Sequence, residues 1–266
     1  MSAITKSAGS YVTEERVVSG FSGVSLRGVG RVRLQQTGTE SLEVRAPQRW
    51  MNRIETRVQN GTLVLGFKKR IFPFPLRPMR LRDDIEFRIT ADVIEELGIS
   101  GAGSLETGDL RAKDLRLRVS GAGRIATDSI EAKDVRVSVS GNGKISSDRL
   151  QAESVEIKSS GIAKVALDNI VAETFQSSFS GAGSVKAKGS VRNAELRISG
   201  TGSFFLEELE TSHCKIRISG AGKVKVHAKE SLETNISGAG NVYYKGTPQL
   251  SGRTSGSGRV RRIDEE

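Results

Sequence analysis

Apolar and polar residues alternate along most of this chain. Leu115, Leu117 and Val119 occupy every second position, as do Val135, Val137 and Val139, and later Ile216 and Ile218. A period of two, rich in β-branched residues, predicts strands, and the repeat shows none of the 3.6-residue period of an amphipathic helix. Each alternating run leads into a Ser-Gly pair, most often Ser-Gly-x-Gly. The first glycines of these pairs are Gly101, Gly121, Gly141, Gly161, Gly181, Gly200, Gly220, Gly238 and Gly256, at spacings of 20, 20, 20, 20, 19, 20, 18 and 18. Four residues after each glycine stands another apolar position: Leu105, Ile125, Ile145, Val165, Val185, Phe204, Val224, Val242 and Val260. A further column holds Ala112, Ala132, Ala152 and Ala172.

Short strands joined by tight corners at this period describe the coils of a solenoid; helical-pair repeats are longer and leucine-rich repeats carry a different signature. The fold expected is all-β, a single-stranded parallel β-helix with 18–20 residues per coil, wound right-handed by the general rule for parallel crossovers. Coils stacking about 4.8 Å apart turn the apolar columns into continuous core ladders. At the corners glycine supplies either a positive φ or close backbone approach, and the serines line up beside it. Residues 96–258 form the regular coils. Residues 259–266 read as a polar tail, and residues 1–10 as a disordered or extraneous leader.

Residues 11–95 read as the first, irregular coils and cap of the same solenoid. Two strands flank Gly28-Val29-Gly30, a helical turn is expected within 47–53, and Asn60-Gly61 marks a hairpin between 54–58 and 62–67. The stretch 71–79 is rich in Pro and Phe. A solenoid end needs covering, and Trp50, Phe67, Phe72 and Phe74 are suitable material.

Charge changes this picture in one place. Net charge is +10, and between Arg45 and Arg82 ten Lys or Arg stand against a single acid, Glu55, which accounts for +9 of it. The candidate ligand site is therefore Arg49, Trp50, Arg53, Lys68, Lys69, Arg70, Phe72, Phe74, Arg77, Arg80 and Arg82. Guanidinium groups pair bidentately with carboxylate or phosphate, which favours acidic polysaccharide, lipopolysaccharide or an anionic membrane surface. No recognised motif accompanies the charge, which disfavours nucleic acid; self-association stays open. The competing reading is a cap whose rings are buried and whose charges keep it soluble. Two outward rows, beginning at Arg116 and Arg118, form a mildly basic face that could lie along an acidic polysaccharide, though a solvated face is the default.

Catalytic chemistry finds little footing. Asp128, Asp148 and Asp168 recur 20 apart and should stack, which suits a weak cation site or acid/base work on a glycan. Asp is also an ordinary turn residue. His213 and His227 fall at different positions in their coils, no nucleophile–base pattern assembles around either, and no cofactor is called for. Cys214, the one cysteine, falls in the inward column with Leu115, Val135, Val155 and Leu232. The repeated Gly-x-Gly strings are not phosphate loops, since no helix follows them.

The opening Phe21-Ser-Gly-Val-Ser-Leu with Gly28-x-Gly30, the stretch 54–65 and the serial Ser-Gly-Ala-Gly corners resemble the auto-transporter adhesin head domain family of bacterial envelope proteins. Gly98-Ile99-Ser100 stands nearest to the family's Gly-Ile-Asn tripeptide. The resemblance covers most of the chain. It implies a non-enzymatic, adhesin-like binding or structural module that is periplasmic, outer-membrane-associated or secreted. Residues 1–10 lack the apolar stretch of a signal peptide, so an exported protein would here be read without its leader. The alternatives are a polysaccharide-cleaving β-helix enzyme and a self-assembling, bactofilin-like scaffold.

Overall fold

A computed structural model describes residues 10–68 and 85–263. The N-terminal part contains β1 (Tyr11–Glu15), β2 (Gly23–Arg27), β3 (Arg31–Gln36), β4 (Ser41–Pro47), a helical turn α1 (Gln48–Met51), β5 (Ile54–Gln59), β6 (Thr62–Phe67), β7 (Glu86–Ala91) and β8 (Glu96–Ile99). The coils continue as β9 (Ser104–Val119), β10 (Arg124–Val139), β11 (Asn142–Ser159), β12 (Ile162–Phe179), β13 (Ala182–Ile198), β14 (Thr201–Ile218) and β15 (Ala221–Ile236). The last elements are β16 (Asn241–Lys245), β17 (Gln249–Thr254) and β18 (Arg259–Arg262). All eighteen strands among the described residues belong to one sheet, wound into a parallel β-solenoid of about eight turns.

From β9 to β15 each strand pairs in parallel with the next, first at an offset of 20 residues, as in Ile125 with Ile145 and Val135 with Val155. The apolar columns therefore do stack: Leu115, Val135, Val155, Phe175, Ala194, Cys214 and Leu232 form one continuous ladder. These side chains are buried, and each fully buried aliphatic contributes about 1.5–3 kcal/mol. The strands are not short, however. They run 16–18 residues, because identical bends stacked on one another let the hydrogen-bond ladder continue around them.

The glycine corners are explained by backbone proximity. A Cβ on Gly121, Gly141 or Gly161 would lie 2.2–2.3 Å from the carbonyl oxygen of the glycine one coil below. None of these three has a positive φ, so the requirement is space for the neighbouring chain. Where the repeat shortens, the register slips on the side away from the corner: between Leu167 and Ile170, between Lys186 and Lys188, and twice between Leu206 and His213. Gly189 sits at the first slip, with φ +121°. The Ser-Gly corners thus stay aligned although the spacing drops to 19 and then 18.

The N-terminal coils stack out of chain order. β2 lies between β6 and β8, and β3 between β7 and β9, all parallel. Beyond β6 and β7 the sheet turns antiparallel, with β5 on β6, β4 on β7 and β1 on β4. The Asn60-Gly61 hairpin forms with both residues at positive φ (51° and 70°), and the helical turn falls at Gln48–Met51. At the other end Arg259–Arg262, within the stretch read as a polar tail, form strand β18, parallel to β16, because Val260 continues the column above Val242. Residues 264–266 lie outside the described residues.

Large and small residues alternate in the core around β12. Phe175 and Phe179 enter there, while Ser177 stands beside them and Ser159 directly below Phe179 in the ladder. Both serine hydroxyls are buried without a hydrogen-bond partner, and a buried unsatisfied hydroxyl costs about 1–3 kcal/mol. Ser177→Ala removes that group with little volume change. It is expected to stabilise the fold by about 1 kcal/mol, read as a raised thermal midpoint; a lowered midpoint would mean that the hydroxyl is satisfied.

Candidate functional site

The part of the predicted basic site that is described converges on Trp50. α1 and the residues after it carry Arg49 and Arg53 to the same ring, with guanidinium carbons 6.0 and 5.2 Å from its centroid. Phe67 meets the indole edge-on, at 6.2 Å and 85°. Trp50 is half-buried and its indole N–H has no acceptor among the described residues. Neighbouring Arg45 lies 4.7 Å over Tyr11. Arg16 fastens the cap together, donating to the carbonyls of Ile54 (3.1 Å) and Met51 (3.3 Å) and to Thr56 Oγ1 (3.2 Å). Neither Arg49 nor Arg53 has an acidic partner among the described residues. Lys68 is exposed at the end of β6. Lys69, Arg70, Phe72, Phe74, Arg77, Arg80 and Arg82 fall outside the described residues.

The other candidates do not come together. Asp128, Asp148 and Asp168 occupy equivalent exposed positions in successive coils, yet among the described residues no three His, Cys, Asp or Glu side chains gather closely enough to hold a metal ion. His213 Nδ1 lies 3.0 Å from Ser231 Oγ, and its Nε2 lies 3.7 Å from Glu230. These are exposed contacts between adjacent coils, His213 and Ser231 being register partners of β14 and β15. On the outer faces carboxylates and amines pair across coils. Hydrogen bonding from Lys215 (2.6 Å) holds the Glu233 carboxyl below its usual range, and Lys188 does the same for Glu208.

Cys214 is buried in its core column, and desolvation pushes its thiol up to about 12. The unfolded thiol ionises near 9.0, so the stability tied to the neutral buried form is intact below that pH. It is lost as pH rises from there towards about 12. Maleimide near neutral pH is accordingly expected to leave Cys214 unmodified in the native protein and to label it fully in denaturant. Rapid labelling of folded protein would contradict this placement.

Two wide depressions carry both signs of charge. One of about 810 Å³, beside residues 15–18, is lined by Arg33 and Arg88 together with Glu15 and Glu43, Arg88 and Glu43 being paired at 3.0 Å. The other, about 800 Å³, runs over the alanine column, with Arg111 and Glu131 along one edge and Lys113, Lys133 and Glu153 along the other. Neither assembles a convergent acid–base pair.

A parallel β-solenoid with an antiparallel, aromatic and basic N-terminal cap defines a repeat scaffold that displays surfaces. The chain belongs to the family described as putative auto-transporter adhesin, head GIN domain, whose profile matches residues 20–148 and 141–248. This is a bacterial family of adhesin-like cell-surface proteins. No curated protein matches the chain. Among solved structures, a putative adhesin from Parabacteroides merdae superposes with a TM-score of 0.72 at 17% identity, over 97% of this chain and 98% of its own. A putative adhesin from Parabacteroides distasonis gives 0.72 at 18% identity, over 96% and 98%. A protein from the same species, named a putative lipid binding protein, gives 0.71 at 21%, over 97% and 98%. At these identities the likeness establishes the shared fold.

Proposed function

We propose that this chain is a non-enzymatic binding module of the bacterial cell envelope whose N-terminal cap engages anionic groups of an envelope surface, carried by acidic glycan, lipopolysaccharide or anionic lipid. The observation that carries this reading is the pair of guanidinium groups on Trp50, neither matched by an acid among the described residues. Residues 68–82, which follow β6 directly, add six Lys or Arg and no acid. Guanidinium held on an aromatic face keeps its hydrogen-bonding edges free for carboxylate or phosphate. The lipid-binding name of one structural relative agrees with the anionic-lipid form of this reading. Against end-to-end assembly, the C-terminal strands β17 and β18 carry Arg253, Arg259, Arg261 and Arg262, the kind of charge that discourages pairing at an open edge.

The test is binding to an array of acidic glycans, lipopolysaccharides and anionic lipids. Wild type is compared with Arg49→Ser/Arg53→Ser and with Arg70→Ser/Arg77→Ser/Arg80→Ser/Arg82→Ser. Each variant is expected to bind roughly tenfold more weakly or worse, with its fold intact. Equal binding by all three proteins would remove the cap from the account.

A further inference from the structure

Beside the Ser-Gly corners the outer surface is concave. Two depressions, of about 420 and 520 Å³, meet at Ser178 and form one groove along the solenoid. One wall is the corner serine of eight successive coils, from Ser120 to Ser255, all exposed. The backbone N–H of each bonds to the coil below, as from Ser140 to Val119 O (2.9 Å) and from Ser219 to Ile198 O (2.9 Å). The hydroxyls therefore stand one coil apart and span about 34 Å at about 4.8 Å per step. Those of Ser180 and Ser199 donate to the carbonyls of Ser159 and Phe179; the other six have no partner among the described residues. The opposite wall carries Arg118, Lys158, Arg197, Arg217 and Arg253, and no carboxylate lines either depression. Both larger depressions, by contrast, mix the two signs.

We infer that this groove binds a linear acidic glycan laid along the solenoid axis. Serine hydroxyls meet sugar hydroxyls, while the cations meet the carboxylates of successive residues. At rest these cations make weak pairs with carboxylates that do not line the groove: Arg118 with Glu96, Lys158 with Glu156, and both Arg197 and Arg217 with Glu195. Such pairs are worth little and exchange readily for a ligand carboxylate. The alternatives fit less well. The groove exposes no aromatic ring on which nucleic-acid bases could stack, and a concave channel walled by serine has no protruding apolar side chain for a bilayer. The inference takes acidic glycan, one of the ligand classes of the proposed function, but places it on a different surface that does not depend on the cap.

Titration calorimetry with length-graded oligogalacturonates tests it, with dextran, single-stranded DNA and phosphatidylglycerol vesicles as comparison probes. Affinity for oligogalacturonate is expected to rise with length until the chain spans the groove, and then to level off. Lys158→Ser/Arg197→Ser/Arg217→Ser is expected to weaken binding of the longest oligomer roughly ten- to a hundredfold, each lost charge contact being worth up to about tenfold. Glu195→Gln, which frees two guanidinium groups, is expected to tighten it severalfold, a gain that misfolding cannot produce. The cap variant Arg49→Ser/Arg53→Ser should leave this binding unchanged. If the cap variant loses oligogalacturonate binding and the groove variants do not, the groove is overturned while the cap reading stands. A galacturonate dimer that binds as tightly as the longest chain, preference for DNA or vesicles, or no effect of Glu195→Gln would each overturn the groove. No binding of any acidic probe by wild type would overturn both sites.

Discussion

Gly141→Ala is expected to lower stability by at least about 3 kcal/mol, the upper range of overpacking. The added methyl would sit 2.3 Å from Gly121 O and 2.8 Å from Ser120 O. Both are backbone atoms held in the stacked ladder, so neither can retreat as a side-chain tip would. At this chain length that is a fall of roughly 6–12 °C in the melting midpoint. Gly108→Ala is the matched control. Gly108 lies in β9 with nothing nearer to a new Cβ than Asp128 Oδ2 at 4.0 Å. That substitution should be neutral or stabilising by up to about 1 kcal/mol, through the unfolded chain. Thermal melts of the two variants side by side decide the matter. Equal, small effects would mean that the corners are conserved in shape by something other than backbone contact.

Phe179→Ala is the second large effect expected, at about 3–5 kcal/mol. Phe179 is fully buried and stacks on Phe204, centroids 5.3 Å apart and planes 28° from parallel. Its neighbours have little freedom to collapse into the gap. Ser159 lies below it and Ile198 above it in backbone ladders whose spacing is fixed. In a stacked repeat each coil is supported by its neighbours, so damage at this coil should also loosen protection of β11 and β13. Hydrogen exchange resolved by segment measures that directly. Loss confined to β12, with a total cost below about 1 kcal/mol, would contradict a core continuous through these coils.

The coil, its corners and its inward columns were readable in the chain because each repeats. Val135, Val137 and Val139 have the same role as their counterparts 20 residues away, and pairing at that offset is what the structure has. Local signals also sufficed for the Asn60-Gly61 hairpin and the turn at Gln48–Met51. Other features depend on which strand lies beside which. Val24 and Leu26 alternate identically whatever their neighbours, so their place between β6 and β8 leaves no mark in the pattern. The shortened spacings announced that residues were lost from some coils, but not that Gly189 and the stretch from Leu206 to His213 absorb the loss. The row from Arg118 to Arg217 was visible as a basic face. Its concavity was not, because that depends on how two faces meet at the serine corner. At the cap, Arg49, Trp50 and Arg53 could be grouped from their closeness on one helical turn, and the structure stacks them.

On the proposed function, this scaffold holds anionic envelope polymers without transforming them. Size-exclusion chromatography of polygalacturonate after prolonged incubation with the wild-type protein tests it most directly. The polymer is predicted to co-elute with the protein at low ionic strength, and to separate from it at high salt with its chain length unchanged. Polymer that elutes apart from the protein at every ionic strength, or that emerges shortened, would contradict the account.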